Sequence, residues 1–217
     1  MSSSLEHYQQ LVYFLGQTLS QDYEIVLHWL DTTGSFSIAA IEHAEISGRT
    51  LNSPITGYAL QLVHDEVYKE QNFIANYKAA TGDKKIQGST FFIKDETNQL
   101  LGLLCINFDN AAYTDLMGHL ATIARIPDLT DPQPIHKSPT TEVLHTSVAD
   151  IIYAVIDRDL LRPGTTLTQQ KKIELCAQLS EKGVFQIKGA IPQVAQILNV
   201  SEPSVYRYLK MIEKENN

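Results

Sequence analysis

Apolar residues at Leu5, Tyr8, Leu11, Val12, Leu15 and Leu19 recur at spacings of three and four, the period of one buried helical face, and predict an opening helix. The period then shortens. Tyr23–Leu30 is rich in β-branched and aromatic residues, stops at the turn-forming Asp31-Thr32-Thr33-Gly34 and resumes the same character over Ser35–Ile41, which predicts two strands in a hairpin. Asn52-Ser53-Pro54 offers capping residues and then a proline where a first helical turn tolerates one, so a helix is expected from Ile55 to about Val67. Beyond the Gly82-Asp83 turn, Ile86–Lys94 and Leu100–Phe108 flank Asp95–Asn98 as a second hairpin, and Tyr113–Ile123 returns to the helical period. Together these elements predict an α+β domain over residues 1–124, an antiparallel sheet with its helices on one side.

Four prolines fall between Arg125 and Pro139, each fixing its own φ and restricting the residue before it, so residues 125–140 are expected to be an interdomain linker. A connecting segment, 141–163, follows: Leu144, Val148, Ile151, Ile152 and Val155 mark an amphipathic helix over 141–160, and Arg162-Pro163-Gly164 breaks it. The stripe on that helix fits two uses, packing on the carrier domain or pairing with a second chain. A homodimer is expected through this helix, the front domain, or both.

The remaining residues, 164–217, read as three helices. Thr168 caps the first, whose Ile173, Leu175, Cys176 and Leu179 face inward before Gly183 ends it. Ile191–Leu198 is the second, Asn199-Val200 the tight turn, and Ser201–Ile212 the third. Val194 and Ala195 allow close approach, while Val205, Leu209 and Ile212 repeat as the inner face of the third helix. Ser201 is expected to cap that helix, with Pro203 in its first turn, which leaves Glu202, Ser204, Tyr206 and Arg207 to project outward; these four with Ser201 and Lys210 are the residues expected to meet base edges and phosphates of double-stranded operator DNA.

A formal net charge of −8 argues at first against such a partner, but its distribution reverses that: residues 1–130 carry 7 basic and 15 acidic side chains, and residues 168–217 carry 7 and 5. The two cysteines, Cys105 and Cys176, sit among apolar neighbours with no metal-type spacing, the 7 histidines are scattered, and neither a metal nor a cofactor such as haem or flavin is expected. No GxSxG elbow or phosphate-cradling glycine loop orders His28, His43, His64, Ser47 and Cys105 into a catalytic set, so no enzyme activity is expected. No apolar run is long enough for a membrane span and the start has no basic segment followed by an apolar stretch, so the chain is expected to stay in the cytoplasm. His28, Arg49, Thr90 and Asn107 are the polar residues of the front domain best placed by type to hold a small-molecule effector.

Several runs resemble the YheO-like family of bacterial regulators: Ser47-Gly48-Arg49, Ser89-Thr90-Phe91-Phe92-Ile93-Lys94, Leu101-Gly102-Leu103-Leu104-Cys105-Ile106-Asn107-Phe108-Asp109, and at the far end Glu181–Ala190, Val194-Ala195 and Ser204-Val205-Tyr206. The chain departs from that family at Trp29, at Gln87-Gly88 and at Glu202-Pro203. The resemblance implies a PAS-like antiparallel-sheet sensor domain followed by an all-α helix-turn-helix domain. It implies a transcriptional regulator whose front domain senses a small molecule or a partner. The alternative is an interaction adaptor whose DNA-binding domain acts without a small-molecule ligand.

Overall fold

The computed structural model describes residues 2–126, 142–145, 147–156, 160 and 167–215. Helix α1 (Ser2–Thr18) leads into strands β1 (Tyr23–Leu30) and β2 (Phe36–Glu42), helix α2 (Gly57–His64), strands β3 (Phe73–Thr81), β4 (Lys84–Lys94) and β5 (Leu100–Phe108), and helix α3 (Ala111–Ala124). The strands form one sheet in the order β2-β1-β5-β4-β3, all antiparallel neighbours. A sixth strand, β6 (Glu142–Val143), adds to the free edge of β3 in parallel.

Alternation sorts the sheet residues into two faces. Ile25, Leu27, Ile93 and Leu104 meet Val12 of α1 on one, while Val26, Leu103, Cys105 and Phe92 meet Ala59, Leu60 and Leu62 of α2 on the other. The expectation of helices on one side is therefore corrected. Both faces are covered, which is why β1 and β5 are apolar on successive positions. The strand β3, which the sequence pattern had not separated from its surroundings, carries a bulge between Ile74 and Tyr77, with Asn76 at φ 59°.

Two local expectations also change. Helix α2 begins at Gly57 because Thr56, in extended backbone, accepts a hydrogen bond from the Ala59 amide at 3.1 Å, whereas Ser53 spends its hydroxyl on the Thr50 amide at 3.0 Å. The helix expected over 141–160 is shorter, α4 (Val148–Val155), capped by Ser147. The residues before it form β6 instead, because the open β3 edge supplies ladder partners for Glu142 and Val143 and the Ala80 carbonyl accepts from the Leu144 amide at 2.8 Å. The proline-rich segment 127–141 lies outside the described residues.

Helices α5 (Gln169–Glu181), α6 (Ala190–Ile197) and α7 (Glu202–Glu215) follow, with a 3-10 turn over Val184–Gln186. The stripe on α4 is used inside the chain: Ile151 and Ile152 are buried where α4 packs on α5 and α6. The sheet domain also touches this helical unit directly. Phe36 forms a parallel backbone bridge with Ile187, and α2 lies against the Val184–Gln186 turn, where Leu60 approaches Gly183. Leu60, Val184 and Ile187 are buried in one continuous core with Phe36, and full burial of each such side chain stabilises by roughly 1.5–3 kcal/mol.

Candidate DNA-reading helix and a buried polar network

The C-terminal helices are placed by their caps. Thr168 accepts from the Lys171 amide at 3.2 Å to start α5, and Gly183 ends that helix at φ 70°. After α6, Asn199 adopts φ 49°, its amide bonded to the Gln196 carbonyl at 3.2 Å and the Val200 amide reaching back to the Ala195 carbonyl at 2.9 Å. That paired closure sets the angle at which α7 leaves. The Lys172 ammonium donates to the Asn199 carbonyl at 3.3 Å and ties α5 to the turn.

On α7, Val205 and Tyr208 are buried and Leu209 and Ile212 half-buried against the helical core, while Glu202, Tyr206, Arg207 and Lys210 are exposed. Tyr208 joins the inner face, a position the sequence reading had left out. Ser201 is exposed; its carbonyl accepts from the Ser204 amide at 2.9 Å, and the two hydroxyls lie 2.9 Å apart. Ser204 is half-buried. The Arg207 guanidinium stands 5.7 Å from the centre of the Tyr208 ring, an arrangement that orients it without consuming its donors. The helix thus carries an apolar side that fixes it and a side of hydroxyl, phenol and basic groups facing water.

The front domain holds a second constellation, inside the sheet. Glu24, His28, Thr90 and Asn107 all point to the α2 face, and each of them, like Arg49, is at least 98 % buried by its exposure of 0, 1, 1, 1 and 2 % respectively. Arg49 donates to Glu24 at 2.7 Å, and Asn107 donates to the same carboxylate oxygen at 2.9 Å. The Ser47 hydroxyl donates to the other Glu24 oxygen and accepts from the Arg49 backbone amide and Nε, both at 3.2 Å. Ser47-Gly48-Arg49 is thus the segment that neutralises a carboxylate in the core. One row along, Thr90 contacts the Tyr77 hydroxyl at 2.8 Å and Cys105 Sγ at 3.4 Å. The Tyr77 ring lies over Gly88, where an added Cβ would stand 2.3 Å from the ring, so any side chain at this position would have to displace Tyr77. At the sheet edge the Thr56 hydroxyl donates to Glu142.

The structure therefore brings Arg49 and Asn107 together on Glu24 and sets Thr90 beside them, but leaves His28 apart, beyond the Val26–Cys105 pair. Glu24, Tyr77 and Glu142 belong to the network and were missed. Glu24 gave a usable signal, a charge at an inward position of an otherwise apolar strand; Glu142 gave none, because its burial depends on β6 pairing across the chain. Two side-chain atoms in this region, His28 Nδ1 and Asn107 Oδ1, are buried without a hydrogen-bond partner. Beside the network an open cleft of about 470 Å³ is lined by Ile46, Ser47, Gly48, Thr81, Leu144 and His145.

Burial governs the titration of this region. It pushes the Cys105 thiol up to about 12, with the Glu142 charge adding to it, so the thiolate nucleophile is suppressed. Burial also raises the Glu142 carboxyl and, with the Arg49 charge second, lowers His28 from 6.5 to about 3. The unfolded chain accordingly takes up a proton on His28 that the folded chain refuses. Stability from the neutral ring is complete above the unfolded value near 6.5 and is lost as pH falls toward about 3, at roughly 1.4 kcal/mol per pH unit. Glu142 works in the opposite direction, its contribution being lost as pH rises through its raised value. Melting curves taken from about pH 7 to pH 4.5 should show a steeper fall for the wild type than for His28→Gln. Equal slopes would mean that His28 titrates in its ordinary range.

Among the described residues no group of three or more histidine, cysteine and acidic side chains is arranged to hold a metal ion, and no helix is long and apolar enough to cross a membrane. The YheO-like PAS domain family model matches residues 1–125, and the helix-turn-helix (HTH) domain family model matches residues 148–210, so that α4 falls with the helices it packs on. The YheO protein of Escherichia coli (strain K12) is 28 % identical over 211 residues, covering 96 % of this chain and 85 % of its own. The transcriptional regulator DauR of Pseudomonas aeruginosa is 25 % identical over 213 residues, covering 97 % and 95 %. The periplasmic domain of RsbU from Chlamydia trachomatis aligns with 52 % of this chain and 38 % of its own at 21 % identity and a TM-score of 0.33, too loose a likeness to carry an argument. The two domains and the regulator relative together support a DNA-binding regulator. On the match over residues 1–125, the chain belongs to the YheO-like PAS domain family, with a helix-turn-helix domain at its C-terminal end.

Proposed function

We propose that this protein is a DNA-binding transcriptional regulator in which α7 reads an operator and the PAS-like domain senses a small molecule or a partner and passes its state to the reader. The observation that carries the first half is the division of α7, with Val205 and Tyr208 in the core and Tyr206, Arg207 and Lys210 presented to solvent beyond a fixed turn. Two features support the second half. Unpartnered buried polar atoms at His28 and Asn107 cost about 1–3 kcal/mol each, a cost that a ligand group could remove. Any rearrangement near Thr56 and Glu142 acts on α2, which rests on the Val184–Gln186 turn of the helix-turn-helix unit.

Genome-wide mapping of bound sites in living cells is expected to give discrete peaks sharing one sequence, and bound sites without a shared sequence would overturn the reader assignment. A thermal-shift screen of metabolites addresses the sensor: an effector at 100 times its Kd stabilises the folded chain by about 2.7 kcal/mol. That shift should disappear in Asn107→Leu. A screen in which no metabolite stabilises the wild type would leave the front domain as an interaction module.

A further inference from the structure

We propose that α3 is the dimerisation helix of this protein and that its occupant is α3 of a second copy. The helix touches its own domain through a narrow seam of small residues: Ala121 is buried, Thr114 and Gly118 are half-buried, and the remaining residues are exposed. Its large apolar side chains point elsewhere. Leu116, Met117, Leu120 and Ile123 are 57, 50, 56 and 80 % exposed, an unusual state for four residues of one helix. Tyr113, Leu116, Leu120 and Ile123 are spaced three, four and three apart, which is the seam of a helix that packs along another helix. Asp115, His119 and Thr122 lie together on a separate polar strip, so the helix is amphipathic with its larger apolar side turned away from its own sheet.

The face is also large and nearly uncharged. With Ile126 just beyond the helix, these side chains expose roughly 600 Å² of surface, against the roughly 800 Å² that each partner gives to a standard interface. Asp115 is the helix's one acidic residue, and the helix carries no lysine or arginine. The patch continues onto the α1 side of the sheet: Tyr113 packs on Phe108, which stacks on Tyr23, and the cross-strand pair Phe73 and Phe91 is exposed on the same side. A second copy offers an identical stripe in a two-fold arrangement. The chain's own segment 127–141 is a poor cover, since its apolar residues other than proline are Leu129 and Ile135. The alternative seam on α4 is already buried inside the chain.

The use of such a dimer on a palindromic operator rests on the proposed function, but its test does not involve DNA. Sedimentation of the full chain at about ten micromolar should give twice the mass of one chain, and Leu116→Glu/Leu120→Glu should give the mass of one chain with an unchanged circular dichroism spectrum. Because Cys105 and Cys176 are buried, mild oxidation should leave the wild type uncrosslinked, join Leu120→Cys into a covalent dimer and spare Thr122→Cys. A monomeric wild type overturns the proposal, and so does a dimer that survives both glutamates. Loss of operator binding by an intact dimer would instead count against the proposed function alone.

Discussion

Arg49→Met is expected to destabilise the front domain by about 3–5 kcal/mol, the cost of leaving a buried carboxylate without its counter-charge. Glu24 is fully buried and holds Arg49 at 2.7 Å, and the hydrogen bonds from Ser47 and Asn107 do not replace a positive charge. For a chain of ordinary stability, about 5–15 kcal/mol, the loss is about a fifth or more of the total. Urea unfolding followed by circular dichroism measures it as a lower midpoint at unchanged slope. The companion variant Glu24→Gln/Arg49→Met should recover most of the loss, because the uncompensated charge is gone and Asn107 and Ser47 still find a side-chain amide to bond. A single Arg49→Met variant that loses less than about 1 kcal/mol would mean that the pair behaves as a solvent-exposed bridge.

This pair shows where the sequence could be read and where it could not. Periodicity found α1, β1, β2, β4, β5, α3 and the three C-terminal helices because each carries a helical apolar stripe or a run of strand-type apolar residues bounded by turns. It did not separate β3, whose alternation is interrupted at the Asn76 bulge, and it extended a helix across Glu142–Leu144, where a distant strand edge offered better backbone partners. The inward set on α7 was legible from Val205, Leu209 and Ile212. The polar network was legible only in part. Arg49 and Asn107 stood out by residue type, yet their common partner Glu24 and the second carboxylate Glu142 depend on register between strands far apart in sequence. The exposed face of α3 escaped notice for a related reason: a helical period records amphipathicity and not which side meets the chain's own core.

Arg207→Ala is expected to weaken operator binding by about 1–3 kcal/mol, or roughly 5- to 150-fold, if the guanidinium pairs with a guanine edge, with specificity relaxed at that base alone. Its exposure and its position one residue before the buried Tyr208 place it on the solvent side of the helix near the first two turns. Tyr206 and Lys210, exposed on the same side, suit phosphates, and their loss should weaken all sequences alike. With 7 basic and 5 acidic side chains over residues 168–217, the helical unit has only a small positive excess, so binding should fall with salt less steeply than for a strongly basic reader.

Fluorescence anisotropy on a mapped operator and on a scrambled duplex of the same length, at one fixed salt concentration, bears most directly on whether α7 is the reader. Wild type, Ser204→Ala, Tyr206→Ala and Arg207→Ala would be compared after circular dichroism has verified their folding. The expected result is tight operator binding by the wild type, a loss for Arg207→Ala that is larger on the operator than on the scrambled duplex, and a similar loss on both duplexes for Tyr206→Ala. Wild-type affinity in all three variants would contradict the assignment of α7 as the DNA-reading helix.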